Sequence, residues 1–259
     1  MPTVQLLQAS VDETEESHFR FLVNGKSVKY VTIAGGLFAC EDLCFPPTLL
    51  SLLPEFPDGN WNEGYIDQPE NAGAPRFVRT VKRQLPAVAS DWHAVSIEHL
   101  DLSFDQKLRT GIYEATSARF SSPVVAKFAR FEWEIAALDH ECMAYSWIDG
   151  QGLAPNFLGF LTEDGRTHGF IMERITGARH ATQEDHLLCK ETLSKLHKLG
   201  ILHGDINKHN FLIKDDRAVL IDFECARFSK EEAAFQDEMN RLWDELGDTS
   251  GRGGSVIDP

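Results

Sequence analysis

The chain has 259 residues, 42% of them hydrophobic, enough for one large or two small domains with a buried core. Its formal charge of −15 argues against nucleic acid or an anionic membrane as the main partner, since both require clustered Lys and Arg to neutralise phosphate. No apolar run approaches the roughly 20 residues of a membrane-spanning helix, and Met1 to Ser17 is polar and acidic rather than signal-like. A cytoplasmic protein is expected. The odd number of cysteines, Cys40, Cys44, Cys142, Cys189 and Cys225, favours free thiols. The pair Cys40 and Cys44 has the form of a metal half-site, but no second pair with ligand spacing follows.

In chain order, FLVNGKSVKYVTI comes first, with Asn24-Gly25 between β-branched and aromatic residues, the strongest short-range signal of a hairpin. Residues 54–75, with Pro54, Pro57, Pro69 and Pro75 among Gly, Asn and Asp, read as a long connector. Residues 1–80 are therefore expected to form an N-terminal extension containing a hairpin.

From Trp92 onward HAVSIEHLDLSF and GIYEATSARF read as strands, and PVVAKFA is a short apolar run carrying Lys127. FEWEIAALDHECMAYSWIDGQG places Ile135, Leu138, Met143, Tyr145 and Ile148 near helical spacing and ends in glycines that suit a helix stop. FLGFLTEDGRTHGFIMERI reads as two strands turned at Glu163-Asp164-Gly165. In QEDHLLCKETLSKLHKLG, Leu187, Leu188, Leu193, Leu196 and Leu199 form an apolar stripe assigned to the core, with Gly200 closing the helix. A last helix is predicted over 229–246, capped by Ser229 with Glu231 and Glu232 in its first turn, followed by a flexible tail. Strands first and helices later give the α+β class.

The richest segment chemically is ILHGDINKHNFLIKDDRAVLIDFE, which places Asp205, Asn210 and Asp222 in loops at either side of a short strand pair. Two carboxylates and an amide suit phosphoryl transfer: Asp205 orients a hydroxyl and takes its proton, while Asn210 and Asp222 offer the oxygen ligands that Mg²⁺ prefers.

HGDINKHN followed by IDFE resembles the catalytic and metal-binding loops of the protein-kinase-like superfamily, with the same five-residue step from Asp205 to Asn210. His-Gly-Asp in place of His-Arg-Asp is similar to aminoglycoside and choline phosphotransferases and to RIO-type kinases. VVAKFA resembles the third-strand lysine motif, and the whole is similar to kinase-like proteins of filamentous fungi. The resemblance covers residues 92–228 and implies a two-lobed fold: an antiparallel-sheet N-lobe and hinge over 81–175, and a reduced helical C-lobe over 176–259. It implies ATP and Mg²⁺ as cofactors. Lys127 would hold the α- and β-phosphates and be oriented by Glu141, with Glu132 and Glu134 as competing partners. Met172, Glu173 and Ile175 would lie in the adenine-binding hinge, and Gly111 in place of the glycine-rich loop.

That loop, DQKLRTGIYEAT, has a single glycine, Glu224 stands where the metal-binding triplet ordinarily ends in glycine, and 37 residues follow Asp222, too few for a peptide-cradling lobe. The last departure points to a small hydroxyl-bearing acceptor rather than a protein substrate, while the glycine-poor loop offers fewer amides to the phosphates and Glu224 would add a ligand, repel ATP or face solvent. The alternatives are a pseudokinase acting as a binding module, and an ATPase or nucleotidyl transferase on the same fold. On a purely structural reading, His203 and Asp205 merely satisfy backbone amides and Lys127 is a solvated strand lysine. The acceptor and the oligomeric state are not legible.

Overall fold

The structure, a computed structural model, describes residues 2–69 and 73–253. Residues 70–72 of the expected connector and 254–259 of the expected tail lie outside the described residues. The chain divides into two units, 1–86 and 87–259.

The first unit is more than a hairpin. Strands β1 (Val4–Ser10), β2 (Ser17–Val23) and β3 (Ser27–Ile33) precede two short helices, α1 (Cys40–Cys44) and α2 (Pro46–Leu52), and two further strands, β4 (Glu63–Asp67) and β5 (Arg76–Val81). The strands form one sheet in the order β1-β2-β3-β4-β5. Asn24 and Gly25 take the positive φ values of 54° and 64° that turn β2 into β3. Strand β4 corrects the connector expectation. It pairs in parallel with β3, and its turn-like residue Gly64 serves a packing purpose: a Cβ there would stand 2.7 Å from the Phe77 ring. Phe19, Phe21, Ile33, Leu49 and Ile66 are fully buried in this unit's own core, each contributing about 1.5–3 kcal/mol of burial. All five cysteines are free thiols; Cys40 and Cys44 lie with sulfurs 4.0 Å apart on α1.

The second unit begins with a six-stranded sheet made of β6 (Ser96–Glu98), β7 (Ser103–Arg109), β8 (Ile112–Thr116), β9 (Val124–Phe128), β10 (Phe157–Glu163) and β11 (Arg166–Glu173), in the order β6-β10-β11-β9-β8-β7. Only β6 and β10 pair in parallel. HAVSIEHLDLSF is not one strand, because a 3-10 turn at His99–Asp101 divides it. Helix α3 (Ile135–Ile148) sits between β9 and β10 in sequence. Asp164 and Gly165, at φ 51° and 79°, make the tight turn between β10 and β11.

Beyond β11 come β12 (Arg179–His180), α4 (His186–Lys198), β13 (Ile201–Leu202), β14 (Phe211–Lys214), β15 (Arg217–Leu220), β16 (Arg227–Phe228) and α5 (Glu232–Gly247). Strands β12, β14 and β15 form a small sheet, and β13 pairs with β16. The α4 stripe is narrower than expected. Leu193 and Leu196 are wholly buried, whereas Leu187 is 77% and Leu199 38% exposed, because these two lie at the helix ends, off the face turned to α5 and β15. Helix α5 starts at Glu232, and Ser229 instead accepts the Glu231 N–H with its hydroxyl, ahead of the helix. Of the expected tail, Asp248 is tied down, its carbonyl accepting the Lys208 ammonium at 2.5 Å.

One apolar cluster runs through both parts of the second unit, from Val125, Leu138, Tyr145, Phe157 and Phe170 to Leu193, Phe211, Leu220, Phe223 and Leu242. A second cluster, with Ile97, Val124, Ala126, Phe128, Leu161 and Ile171, packs on other side chains of the six-stranded sheet. The result is an α+β fold of the kinase-like, two-lobed kind.

Candidate active site

The placement of Lys127 follows from strand periodicity. On β9, Val124, Ala126 and Phe128 enter one core cluster and Val125 the other, so Lys127, two residues after Val125, points to the same side as Val125. There it meets α3. The buried residues of that helix include Leu138, Glu141, Cys142 and Tyr145, spaced as a single stripe, while Met143 is 41% exposed. Glu141 is the acid in the stripe. Lys127 Nζ lies 2.6 Å from Glu141 Oε2 and 2.5 Å from Asp222 Oδ1. Glu134, a rival partner in the sequence, pairs with Arg130 at 2.6 Å instead.

Glu141 is the dry end of this triad: its side chain is 1% exposed, that of Lys127 15% and that of Asp222 23%. Burial opposes the ammonium charge, but Glu141 and Asp222 together outweigh it and hold Lys127 well above its ordinary pKa. Burial pushes the Glu141 carboxyl up, with Lys127 opposing. Asp222 ends below its ordinary value, because the charge of Lys127 overcomes its desolvation.

The loop after β13 carries His203, Gly204 and Asp205. His203 is fully buried, and its Nε2 donates to the Ile221 carbonyl at 3.1 Å; desolvation keeps it below its ordinary pKa, hence neutral. Gly204 has φ +85°, and a Cβ there would stand 2.4 Å from the Cys225 carbonyl oxygen, so the position requires glycine. Asp205 Oδ2 accepts from Asn207 Nδ2 at 2.9 Å and from Asn210 Nδ2 at 3.0 Å. Asn210 Nδ2 also donates to the Asp205 carbonyl. With the amide nitrogen committed to Asp205, the orientation of the Asn210 side chain is fixed. Its Oδ1 is left buried without a hydrogen-bond partner. Strands β14 and β15 then return the chain to Asp222, whose φ of +68° is a strained backbone for a non-glycine residue. Phe223 is fully buried, its ring centroid 5.0 Å from His203 and 5.4 Å from Tyr145, while Glu224 is exposed.

Lys127, Glu141 and Asp222 line a cavity of about 260 Å³, together with Met172, Glu173, Arg174 and Ile175 at the end of β11. The four residues Met172 to Ile175 thus share one wall. Gly111 is not among the lining residues. It closes the β7–β8 turn, its carbonyl accepting the Phe128 N–H, and the flanking Leu108, Arg109 and Ile112 face the cavity instead. Among the described residues no group of three or more His, Cys, Asp or Glu side chains is arranged to hold a metal. The donor set nonetheless suits magnesium, which needs only one or two protein oxygens besides phosphate and water: Asn210 Oδ1 is an orphaned buried acceptor and Asp222 has an oxygen not used by Lys127.

Glu238 on α5 escaped the sequence reading. It is 2% exposed and accepts from the Gly204 N–H at 2.7 Å, the His203 N–H at 3.2 Å and His197 Nε2 at 2.7 Å. Burial works against its charge, but these donors hold its carboxyl below the ordinary glutamate range. The one local signal was an acid four residues before the buried Leu242 on an otherwise amphipathic helix.

A lysine–glutamate pair beneath an antiparallel sheet, an Asp-x4-Asn loop and a following aspartate on a strained backbone are features of the protein-kinase-like class. Residues 179–248, which contain Asp205, Asn210, Asp222 and Glu238, match the lipopolysaccharide kinase (Kdo/WaaP) family model. The chain is 39% identical over 64 residues to a probable bifunctional tRNA threonylcarbamoyladenosine biosynthesis protein of Methanoculleus marisnigri, and 37% identical over 65 residues to its namesake from Methanothermobacter thermautotrophicus. Each of these matches takes in 24% of this chain and 12% of the relative. It is also 35% identical over 74 residues to the EKC/KEOPS complex subunit BUD32 of Yarrowia lipolytica, covering 26% of this chain and 30% of that protein. The chain therefore spans less than a third of the length of these relatives. Fold and similarity support a protein-kinase-like superfamily without selecting a subgroup. Among the described residues no helix is long and apolar enough to cross a membrane.

Proposed function

We propose that the chain is an ATP- and magnesium-dependent phosphotransferase acting on a hydroxyl group of a small molecule. The observation that carries this reading is the position of Lys127, held between Glu141 and Asp222 at the wall of a cavity. A structural lysine would not need two carboxylates in so dry a setting, since removing the charges from water costs several kcal/mol per ion. In this reading the backbone from Met172 to Ile175 receives adenine, and Lys127, oriented by Glu141, neutralises the α- and β-phosphates. Asn210 Oδ1 and Asp222 would hold Mg²⁺, which when bound neutralises charge on the phosphate oxygens.

Asp205 acts on the acceptor. Its carboxylate is aimed by the two amide donors of Asn207 and Asn210. It takes the hydroxyl proton as the acceptor oxygen bonds to the γ-phosphorus and the bond to the β–γ bridging oxygen breaks, releasing ADP. The protein contributes mainly positioning and charge neutralisation.

Calorimetry with ATP, with and without Mg²⁺, on the wild type and Asp222→Asn tests the foundation. Magnesium-dependent binding that is lost in the variant supports it; no binding at millimolar ATP refutes it. Phosphate transfer to a panel of hydroxyl acceptors, abolished by Asp205→Ala with nucleotide binding intact, then separates a phosphotransferase from two rivals. A binding module would bind Mg-ATP and move no phosphate, and an ATPase would release phosphate with no acceptor present.

A further inference from the structure

The nucleotide reading leaves one need unmet. Of the cations that line the cavity, Lys127 is shared by two carboxylates, Arg174 is paired with Glu114 and Arg179 with Asp185, so a polyphosphate entering it needs a further donor. Backbone amides do not supply it. The β7–β8 connection is the two-residue turn Thr110-Gly111, with Arg109 paired to Ile112. Its glycine is fastened to β9: the Gly111 carbonyl accepts the Phe128 N–H at 2.9 Å, and a Cβ at Gly111 would stand 2.8 Å from the Phe128 oxygen. A turn so short and so fixed cannot drape several N–H groups over a ligand.

What the turn does present is Arg109. Its side chain lines the same cavity as Lys127 and Asp222. Its Nη2 is buried with no hydrogen-bond partner, and among the described residues the guanidinium makes no ion pair. A buried guanidinium nitrogen left unsatisfied is costly unless a ligand completes it.

We propose that Arg109 grips the terminal phosphates of the nucleotide, performing with one forked side chain what a glycine-rich loop performs with backbone amides. The guanidinium fork matches the spacing of phosphate oxygens and stays charged throughout. This assignment rests on the nucleotide-binding reading given above and adds a phosphate contact to it.

The test is a calorimetric titration of wild type, Arg109→Ala, Arg109→Gln and Arg109→Lys with Mg-ATP, Mg-ADP and AMP, with unfolding midpoints measured alongside. Loss of a charge-assisted contact worth about 1.5–3 kcal/mol weakens binding roughly 10- to 100-fold. That loss is expected for Mg-ATP in the Ala and Gln variants, with AMP affinity unchanged and Lys restoring part. The neutral Gln variant keeps a side chain of similar bulk and guards against a simple packing defect. If ATP affinity in both neutral variants stays at the wild-type level, or if AMP binding falls as far as ATP binding, the Arg109 assignment is overturned while nucleotide binding stands. A wild type that binds neither ATP nor ADP overturns the nucleotide reading, and this one with it.

Discussion

Replacing Glu238 by Gln should destabilise the second unit and disorder the loop that carries Asp205. The carboxylate now accepts from two backbone N–H groups, of Gly204 and His203, and from His197. A glutamine keeps one acceptor oxygen and turns an N–H₂ group toward a donor, so at least one buried N–H loses its partner, at about 1–3 kcal/mol. Loss of charge assistance at the remaining bond adds to this, for a total of about 2–4 kcal/mol. For a domain of this size that corresponds to a fall in Tm of roughly 4–16 °C, read by thermal unfolding of both proteins. The pH dependence gives an independent check. The folded carboxyl lies below the ordinary glutamate range, so its stabilisation is complete above the unfolded-state value of about 4.3 and fades as pH falls below it. The deficit of Glu238→Gln should therefore shrink in acid. A variant within about 1 kcal/mol of wild type at pH 7 would be smaller than the loss of one buried partner, and would show that the three contacts do not anchor the loop.

Other perturbations probe different links. Gly204→Ala drives a methyl toward the Cys225 carbonyl on a backbone with φ +85°; it should lower stability by at least the roughly 1–2 kcal/mol of left-handed strain, measured by urea denaturation. Asp185 is held at a pKa of about 2, chiefly by Arg179, which meets it through two bonds of 2.6 and 2.7 Å, and it also completes a capping box with Thr182 ahead of α4. Asp185→Asn should cost about 1 kcal/mol at pH 7. Because the folded pKa is depressed, that cost should persist down to about pH 4 and vanish as pH approaches the folded value. Lys127→Met leaves Glu141 buried beside Asp222 with no cation and should destabilise by about 3–5 kcal/mol. Burial already favours protonation of Glu141, so unfolding curves of this variant should recover toward wild type as pH is lowered.

The site was legible where its chemistry is local. Asp205 and Asn210 sit five residues apart in one loop, and Asp222 follows a single strand pair, so sequence order alone brings them near one another. Lys127 was readable as the one lysine in the apolar run PVVAKFA, and strand alternation explains the side it faces. Glu141 was preferred to Glu132 and Glu134 on the resemblance alone, and the register of α3 supplies the physical reason: Glu141 is on the buried face, while Met143, placed near helical spacing with the apolar residues, is exposed. Long-range features stayed hidden. Nothing around Glu238 announces partners 34 residues away, and the shortage of glycine between Asp105 and Thr116 read as a loss, when the same segment carries Arg109. In the first unit, Gly64 looks like a turn residue, and only the pairing of β4 with β3 and β5 makes it part of a strand.

The hydrogen bonds around the loops explain why three candidate residues from two loops keep fixed positions. Glu238 holds the backbone of His203 and Gly204; the His203 ring holds the Ile221 carbonyl; the Ile221 N–H donates to the Asn210 carbonyl at 2.9 Å; and the Asn210 side chain returns to Asp205. The circuit runs from α5 through both loops and closes on the carboxylate proposed as base. Phe223 packs against His203 on the same side, so the backbone strain at Asp222 is braced by apolar packing as well as by hydrogen bonds. Such strain persists only where the surroundings over-determine it. A helix late in the chain thus sets the geometry of a site whose chemistry it never touches, and the circuit's orphaned acceptor, Asn210 Oδ1, belongs to the residue from which that chemistry needs an oxygen.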